Sequence, residues 1–285
     1  MSAHVPSRAH WTRVDESQDP RWFIRLLDST RSRLLQAATA NPAGFFAYLD
    51  LAPGLAVLDV GAGTGDFDRL IADLVTPGGR VVGIDYGQTM VDEAIARSEG
   101  LGLPIEFRQA DAHDLPFPDD SFDRCLATQV FQHLPRPERA LAEMVRVARD
   151  KARVIITEPD WDSRICALGD PVLARAVTRA WADKIQNPGI ARELPAMFSA
   201  AGLTNVRIEA TPYLMSGNAP EMAFDLVAQP LRELYETGAI DSDQLQNSLA
   251  RVEARIAAGT WLDAALMLRV TGEKRQVADR TVRHD

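Results

Sequence analysis

The sequence predicts a doubly wound α/β fold: a mostly parallel seven-stranded sheet with helices at the N-terminus and a helical insertion before the last strand. Three observations carry this. An apolar run (Leu55, Val57, Leu58, Val60) reads as a strand buried on both faces, and it ends in three closely spaced glycines, Gly61, Gly63 and Gly65. A helical pattern (Phe67, Leu70, Ile71, Leu74, Val75) begins immediately after them. Strand and helix patterns then alternate to about residue 160, which implies parallel strands joined by helices on both faces.

Along the chain, residues 1–14 are polar and aperiodic and are expected to be loose. Helical spacing over 15–40 (Trp22, Phe23, Leu26, Leu27, Leu34, Leu35) is interrupted by polar turns and broken by Asn41-Pro42, and a short helix at 45–49 leads into the first strand. Strands are expected near 55–60, 80–84, 104–109, 122–128 and 153–158, with helices near 65–75, 88–99 and 137–148. Helices near 171–186 and 192–201 follow, the second stopped by Gly202. The last two strands fall near 205–212 and 264–272. The two helical stretches between them, 219–236 and 241–258, are too long for an ordinary connection. The expected division is 1–50 as an N-terminal cap, 51–215 as the core, 216–260 as a lid, and 261–285 as the last strand with a frayed tail.

A strand, glycine turn and helix bring bare backbone N–H groups up to a ligand. A dinucleotide site needs a third glycine where this chain has Asp66. Asp59, Asp66 and Asp68 would repel a diphosphate by a few kcal/mol at intermediate dielectric. A cationic ligand suits the same place, and S-adenosylmethionine carries an ammonium and a sulfonium but no phosphate. The second strand ends in Asp85, about 20 residues beyond the glycines, where a ribose-binding acid belongs. The third ends in Asp111, and the carboxyl ends of neighbouring strands line one crevice.

The chain resembles class I S-adenosylmethionine-dependent methyltransferases of the small-molecule branch that includes the ubiquinone and menaquinone enzymes. The resemblance lies in residues 57–67, 83–90, 109–123 and 130–134, and it covers roughly residues 45–160. It implies a Rossmann-like methyltransferase fold in which Gly61, Ala62 and Gly63, with Asp59, hold the methionine portion. It further implies that Asp85 binds the ribose hydroxyls, that Asp111 and the Ala112 N–H bind the adenine, and that Gln129 contributes a backbone contact. Tyr86 is expected against the adenosine, and Met90 near the adenine or in the helix core. One departure is the turn before the fifth strand, where the family has Pro-Gly-Gly and this chain reads Arg149-Asp-Lys-Ala-Arg153.

Composition excludes other classes. With 31 basic against 40 acidic side chains and a net charge of −9, the chain lacks the basic face that nucleic acid requires. Two cysteines, Cys125 and Cys166, cannot form a disulfide framework. The absence of a leader or a long uncharged apolar run predicts neither a signal peptide nor a membrane span, and hence a cytoplasmic enzyme. Lys151, Lys184 and Lys274 are its only lysines, a bias expected of a GC-rich bacterial genome.

Methyl transfer is an in-line displacement, and positioning alone supplies much of its rate, so a dedicated catalytic residue is optional. His133, after the fourth strand, is the candidate base for a hydroxyl acceptor; the structural alternative is a backbone hydrogen bond in the turn. Trp161 and Asp160, beyond the fifth strand, are candidates for acceptor binding, Trp161 by stacking on an apolar or cationic group. Arg192 is a candidate partner for a carboxylated acceptor, with a solvated helix-start charge as the alternative. Trp11, Trp22 and Phe23 are candidates to close over the cofactor from the N-terminal segment, with plain packing as the favoured alternative. Asp111, His113 and Asp114 could suggest a divalent metal, but Asp111 already has a cofactor role and nothing else matches the metal-dependent catechol enzymes, so no metal is expected. The function expected is methyl transfer from S-adenosyl-L-methionine to a small organic acceptor, in the manner of secondary metabolism, by a monomer or homodimer. The rival is a protein that keeps the cofactor site and acts as a cyclase or a non-catalytic binder.

Overall fold

The computed structural model describes residues 11–215 and 220–275; the expectations for residues 1–10, 216–219 and 276–285 lie outside the described residues. Seven strands form one sheet in the order β3-β2-β1-β4-β5-β7-β6. They are β1 (Ala56–Val60), β2 (Arg80–Asp85), β3 (Ile105–Gln109), β4 (Phe122–Thr128), β5 (Ala148–Cys166), β6 (Leu203–Leu214) and β7 (Asp263–Lys274). The first five run parallel, while β7 pairs antiparallel with both β5 and β6. The order reverses between β1 and β4, the switch point at which open α/β sheets bind ligands beyond their strand ends.

Helices cover both faces. The helices α1 (Pro20–Ala40), α2 (Pro42–Phe45) and α3 (Asp66–Val75) lie toward one side, with α4 (Gln88–Ser98) beside them; α5 (Pro137–Val147) and α7 (Ile190–Ala200) lie toward the other. Strand alternation feeds both cores. Leu58, Val60, Val82 and Ile156 pack with Met144, Leu194 and Phe198, whereas Val57, Val81, Leu126 and Ile155 pack with Phe46, Ile71 and Val75. Each such side chain contributes about 1.5–3 kcal/mol by leaving water.

The insertion builds its own small core. Its helices α8 (Pro220–Glu236) and α9 (Ser242–Ala257) pack with α6 (Pro171–Ala182), which precedes β6, and bury Leu173, Val177, Val227, Leu231, Val252 and Trp261. The buried Arg164 and Asp263 join the end of β5 to the start of β7, with Nε–Oδ1 at 2.9 Å and Nη2–Oδ2 at 2.6 Å. None of the described helices is long and apolar enough to cross a membrane.

Several boundaries differ from the sequence reading. The fifth strand runs from 148 to 166 rather than 153–158, because β7 stays paired with it out to Cys166 across an irregularity between Asp160 and Ile165. The helix after β5, α6, ends at Ala182 rather than 186. The expected short helix at 45–49 is split into α2 and a 3₁₀ turn, Ala47–Leu49, with the Asn41 side chain accepting from the Gly44 N–H at 3.1 Å. Residues 11–14, expected loose, belong to a 3₁₀ segment, Trp11–Glu16, in which Val14 is buried against Phe23 and Met90. That segment is held at a distance: Asp15 accepts from the Gln88 and Thr89 N–H groups at 2.7 and 3.0 Å, closing the N-terminus of α4.

Candidate functional site

A cavity of about 550 Å³ opens at the carboxyl ends of β1–β4, beneath α1 and the 3₁₀ segment. Gly61 and Ala62 both donate to the Ile84 carbonyl, at 2.8 and 2.9 Å, which draws the glycine turn against β2. Gly61 sits at φ +79°, where a side chain would also collide with Val130. Asp85 fixes the turn from below. Its Oδ2 accepts from the Gly63 N–H at 3.0 Å and its Oδ1 from the Gly87 N–H at 2.9 Å. Burial raises the Asp85 pKa above the usual carboxylate range, against the pull of those two N–H groups and of Arg31.

Gly61, Gly63, Asp85, Tyr86, Met90, Asp111, Ala112, Gln129, His133 and Trp161 all line this one cavity. Tyr86 is exposed at its edge, while Met90 is buried and packs on Val14 and Phe23. Asp111 accepts from the His113 N–H at 2.8 Å and lies 2.6 Å from the His113 Nδ1. Burial opposes its ionisation, but the His113 contacts outweigh it and hold the carboxyl below its ordinary range. Gln129 adopts φ +60°, donates its N–H to the Thr157 carbonyl at 2.9 Å and hydrogen-bonds Tyr213 with its side chain. The next two amides, of Val130 and Phe131, both donate to the buried Glu158 Oε1, at 2.6 and 2.7 Å. Glu158 thus anchors the turn that carries His133, whose ring lies 6.0 Å from that of Trp11.

Four expectations are corrected. Asp59 and Asp160 do not line the cavity. Neighbouring residues of a strand point to opposite faces, so Val60 and Trp161 at the cavity turn Asp59 and Asp160 away from it. Asp160 is instead bound by Arg192, with Nε–Oδ2 at 3.0 Å and Nη2–Oδ1 at 2.8 Å, which also withdraws Arg192 from any acceptor. Ala62 is buried under the turn, and its side chain sits where one on Gly83 would fall. The acids around the turn do not form an open anionic patch either. Asp66 is paired with Arg69 and Arg97. Burial and mutual repulsion push Asp59 and Asp68 up together, Asp68 to about 7, so the pair favours holding a proton at neutral pH.

Sequence reasoning missed Arg31. It lies in α1, four residues after Leu27, and both reach over Gly63: a side chain there would meet the Leu27 Cδ1 at 3.0 Å and the Arg31 Nη1 at 3.4 Å. An arginine on the buried stripe of an amphipathic helix was the available signal. Trp11 and Trp22, for which packing was the favoured of two readings, line the cavity as well. Also missed were Gln132, Trp181, Tyr213, Met215 and Leu226, which come from distant parts of the chain. Trp161 donates its Nε1–H to the Gln132 Oε1 at 2.5 Å and meets Trp181 edge to face, with centroids 5.7 Å apart.

Residues 58–156 match the family described as "Methyltransferase domain". An uncharacterized 37.1 kDa protein in transposon TN4556 of Streptomyces fradiae is 42% identical over 188 residues, which is 64% of this chain and 54% of that one. The ubiquinone/menaquinone biosynthesis C-methyltransferase UbiE of Ectopseudomonas mendocina is 35% identical over 125 residues, 43% of this chain and 46% of that one. The chain thus spans about half the length of these curated relatives. Among solved structures, a SAM-dependent methyltransferase from Aquifex aeolicus shares the fold with a TM-score of 0.55 at 19% identity, covering 90% of this chain and all of that one.

Proposed function

We propose, for a chain whose residues 58–156 form a class I S-adenosylmethionine-dependent methyltransferase domain, that it transfers the methyl group of that cofactor to a small organic acceptor by in-line displacement. One observation carries the reading: a single cavity joins a cofactor end, built by the glycine turn, Asp85 and Asp111, to a second, aromatic end built by β5, β6, α6 and α8. The residues fit the cofactor. The turn closes on its own backbone, with the Leu27 side chain and the Arg31 guanidinium close over Gly63. Arg31 is placed to receive the amino-acid carboxylate, Asp85 the ribose diol, and Asp111 with the Ala112 N–H the base.

When bound, the cofactor supplies an electrophilic methyl on a sulfonium. The chain's own residues orient and enclose. Gln129 and Val130, fixed by Thr157 and Glu158, line the passage between the two ends. His133 stands at the same passage as the base for an acceptor that must lose a proton.

Calorimetric titration with S-adenosylhomocysteine tests the cofactor end. Wild type is expected to bind; Arg31→Met is expected to weaken binding by about 1.5–3 kcal/mol, the usual worth of a hydrogen bond to a charged group. Unaltered affinity in the Arg31 variant would refute its role, and no binding by wild type would refute the reading. A cyclase or binder would bind the cofactor yet release no S-adenosylhomocysteine from S-adenosylmethionine under any acceptor.

A further inference from the structure

β6 is the outermost strand of the sheet, and most of its residues are exposed. A bare edge offers unpaired N–H and C=O groups, and a protein either blunts it or pairs it. Which residues carry those groups can be read from β7. Leu266, which pairs with Pro212, donates its N–H away from β6, to the Ser163 Oγ on β5 at 2.7 Å. Pairs in an antiparallel ladder alternate, and the register runs unbroken from Arg207 to Leu214, so Ile208, Ala210 and Pro212 turn their backbone groups outward. Blunting is confined to two points. Pro212 has no N–H to offer, and the strand bulges between Thr204 and Arg207, with Asn205 at φ +53°. Between them lies a short open strip, residues 206–210.

The side chains of this strip complement themselves. Ile208, at its centre, is 56% exposed on one face of the sheet. Arg207 and Glu209 flank it on the other face, beside Arg269. Arg207 has no acid partner among the described residues. Glu209 spends its Oε2 on the Arg269 Nη1 at 2.8 Å, which leaves Oε1 for a second cation. Outward groups can meet only outward groups, and this limits how two identical edges can pair antiparallel. A pair centred on Arg207 or on Glu209 sets like charges directly opposite each other, which is destabilising. A pair centred on Ala210 sets Pro212 against Ile208 and forfeits a hydrogen bond on each side. A pair centred on Ile208 puts each Arg207 opposite the partner's Glu209, joins the two Ile208 side chains, and leaves Pro212 and the bulge outside the strip.

We infer that β6 is a homodimer interface, in which two copies of this chain pair antiparallel about Ile208 and continue the sheet across a two-fold axis. Such an axis stands perpendicular to the sheet, so the charged face meets the charged face, the apolar face meets the apolar face, and each contact is made twice. None of residues 206–210 lines the cavity, so the contact is independent of the cofactor reading.

The test is sedimentation velocity of the full chain over a concentration series, joined to cross-linking. Wild type is expected to pass from monomer to dimer as concentration rises. Arg207→Glu sets carboxylates opposite each other at both ends of the strip and is expected to raise the dissociation constant at least about tenfold, with the circular dichroism spectrum unchanged. Ile208→Cys puts two thiols on the axis at a hydrogen-bonded pair, where Cα atoms lie about 5.5 Å apart and within disulfide reach. Mild oxidation of that variant is expected to give a covalent dimer. Leu214→Cys, on the same exposed edge but roughly 40 Å from its copy at about 3.3 Å per residue, is expected to give none. Cys125 and Cys166 are buried and do not compete. Three results would each overturn the inference: wild type monomeric throughout, a dimer that Arg207→Glu leaves intact, or Leu214→Cys linking as readily as Ile208→Cys. The first would leave this edge to an extended segment of a different protein.

Discussion

Glu158 is fully buried, and burial pushes its pKa from an ordinary 4.5 up to about 8, although the Phe131 and Val130 N–H groups pull it down. A group that holds its proton more tightly when folded stabilises the fold below its unfolded pKa, and that contribution is lost as pH rises through the folded value. At about 1.4 kcal/mol per tenfold, the span from 4.5 to about 8 sets an upper bound of about 5 kcal/mol. Relaxation and water entry reduce this, so a loss of about 2–5 kcal/mol is expected between pH 4.5 and 9. Glu158→Gln keeps an oxygen for both amides and cannot ionise. The two proteins are therefore expected to unfold at similar temperatures below about pH 5, to diverge progressively between about pH 5 and 8 and to keep that gap above it, the variant being the more stable. At about 2–3 °C per kcal/mol for a chain of this size, the gap at pH 9 should reach roughly 5–12 °C. Thermal melts followed by circular dichroism at half-unit pH steps measure it. Parallel melting curves across the range would refute the argument, since they would mean that Glu158 titrates alike folded and unfolded.

Three further perturbations follow from the packing. Asp15→Ala removes the cap on α4 and is expected to cost about 1–2 kcal/mol; hydrogen exchange should speed up at Gln88 and Thr89 and in the Trp11–Glu16 segment before it does so in the sheet. Gly65→Val, at φ +70° with its new side chain driven into the Phe107 ring, is expected to cost about 3 kcal/mol or more in urea unfolding, whereas Gly100→Ala, at φ +75° with open space around it, should cost about 1–2. Arg164→Met is expected to destabilise by about 3–5 kcal/mol by stranding Asp263 in a dry site, and the double variant with Asp263→Leu should recover most of that; a double variant no better than the single one would count against the pair.

The parts of the site that could be read in the sequence are those set by one strand and the turn after it. Gly61, Gly63, Asp85 and Gln129 each follow a short apolar run and Asp111 an alternating one, and parallel strands in a common sheet must bring such ends together. Two misplacements, Asp59 and Asp160, came from neglecting the period of two: with Val60 and Trp161 assigned to the cavity, their neighbours had to face elsewhere. The long β5 was hidden for a different reason. Pro159, Asp160, Asp162 and Ser163 read as a loop; pairing of Pro159 and Asp160 with β7, about 100 residues later, resumes at Ile165 and carries the strand across them. The aromatic end was hidden most thoroughly. Trp22, Trp181, Tyr213 and Leu226 carry no local signal that separates cavity lining from core, and they meet only because α1, α6, β6 and α8 converge.

The exclusion of a dinucleotide also has a different physical basis from the one the sequence suggests. Three carboxylates around the glycine turn argued for Coulomb repulsion, yet Asp66 is neutralised by Arg69 and Arg97, and the Asp59–Asp68 pair favours holding a proton. What remains over the turn is Arg31, a cation that would welcome a phosphate if charge alone decided. Two features act against one. Leu27 and Arg31 lie close over Gly63, where the glycine turn would otherwise approach a pyrophosphate, and the Asp66 carboxylate occupies the first turn of α3, accepting from the Thr64 hydroxyl at 2.9 Å. An amino-acid zwitterion escapes both. It needs one cation for its carboxylate and carbonyl oxygens for its ammonium, and it brings no net charge to a turn whose acids are already balanced. On the proposed reading, specificity at this turn comes from α1, an element outside the glycine motif, and Arg31→Met is expected to weaken the methionine end without creating a diphosphate site.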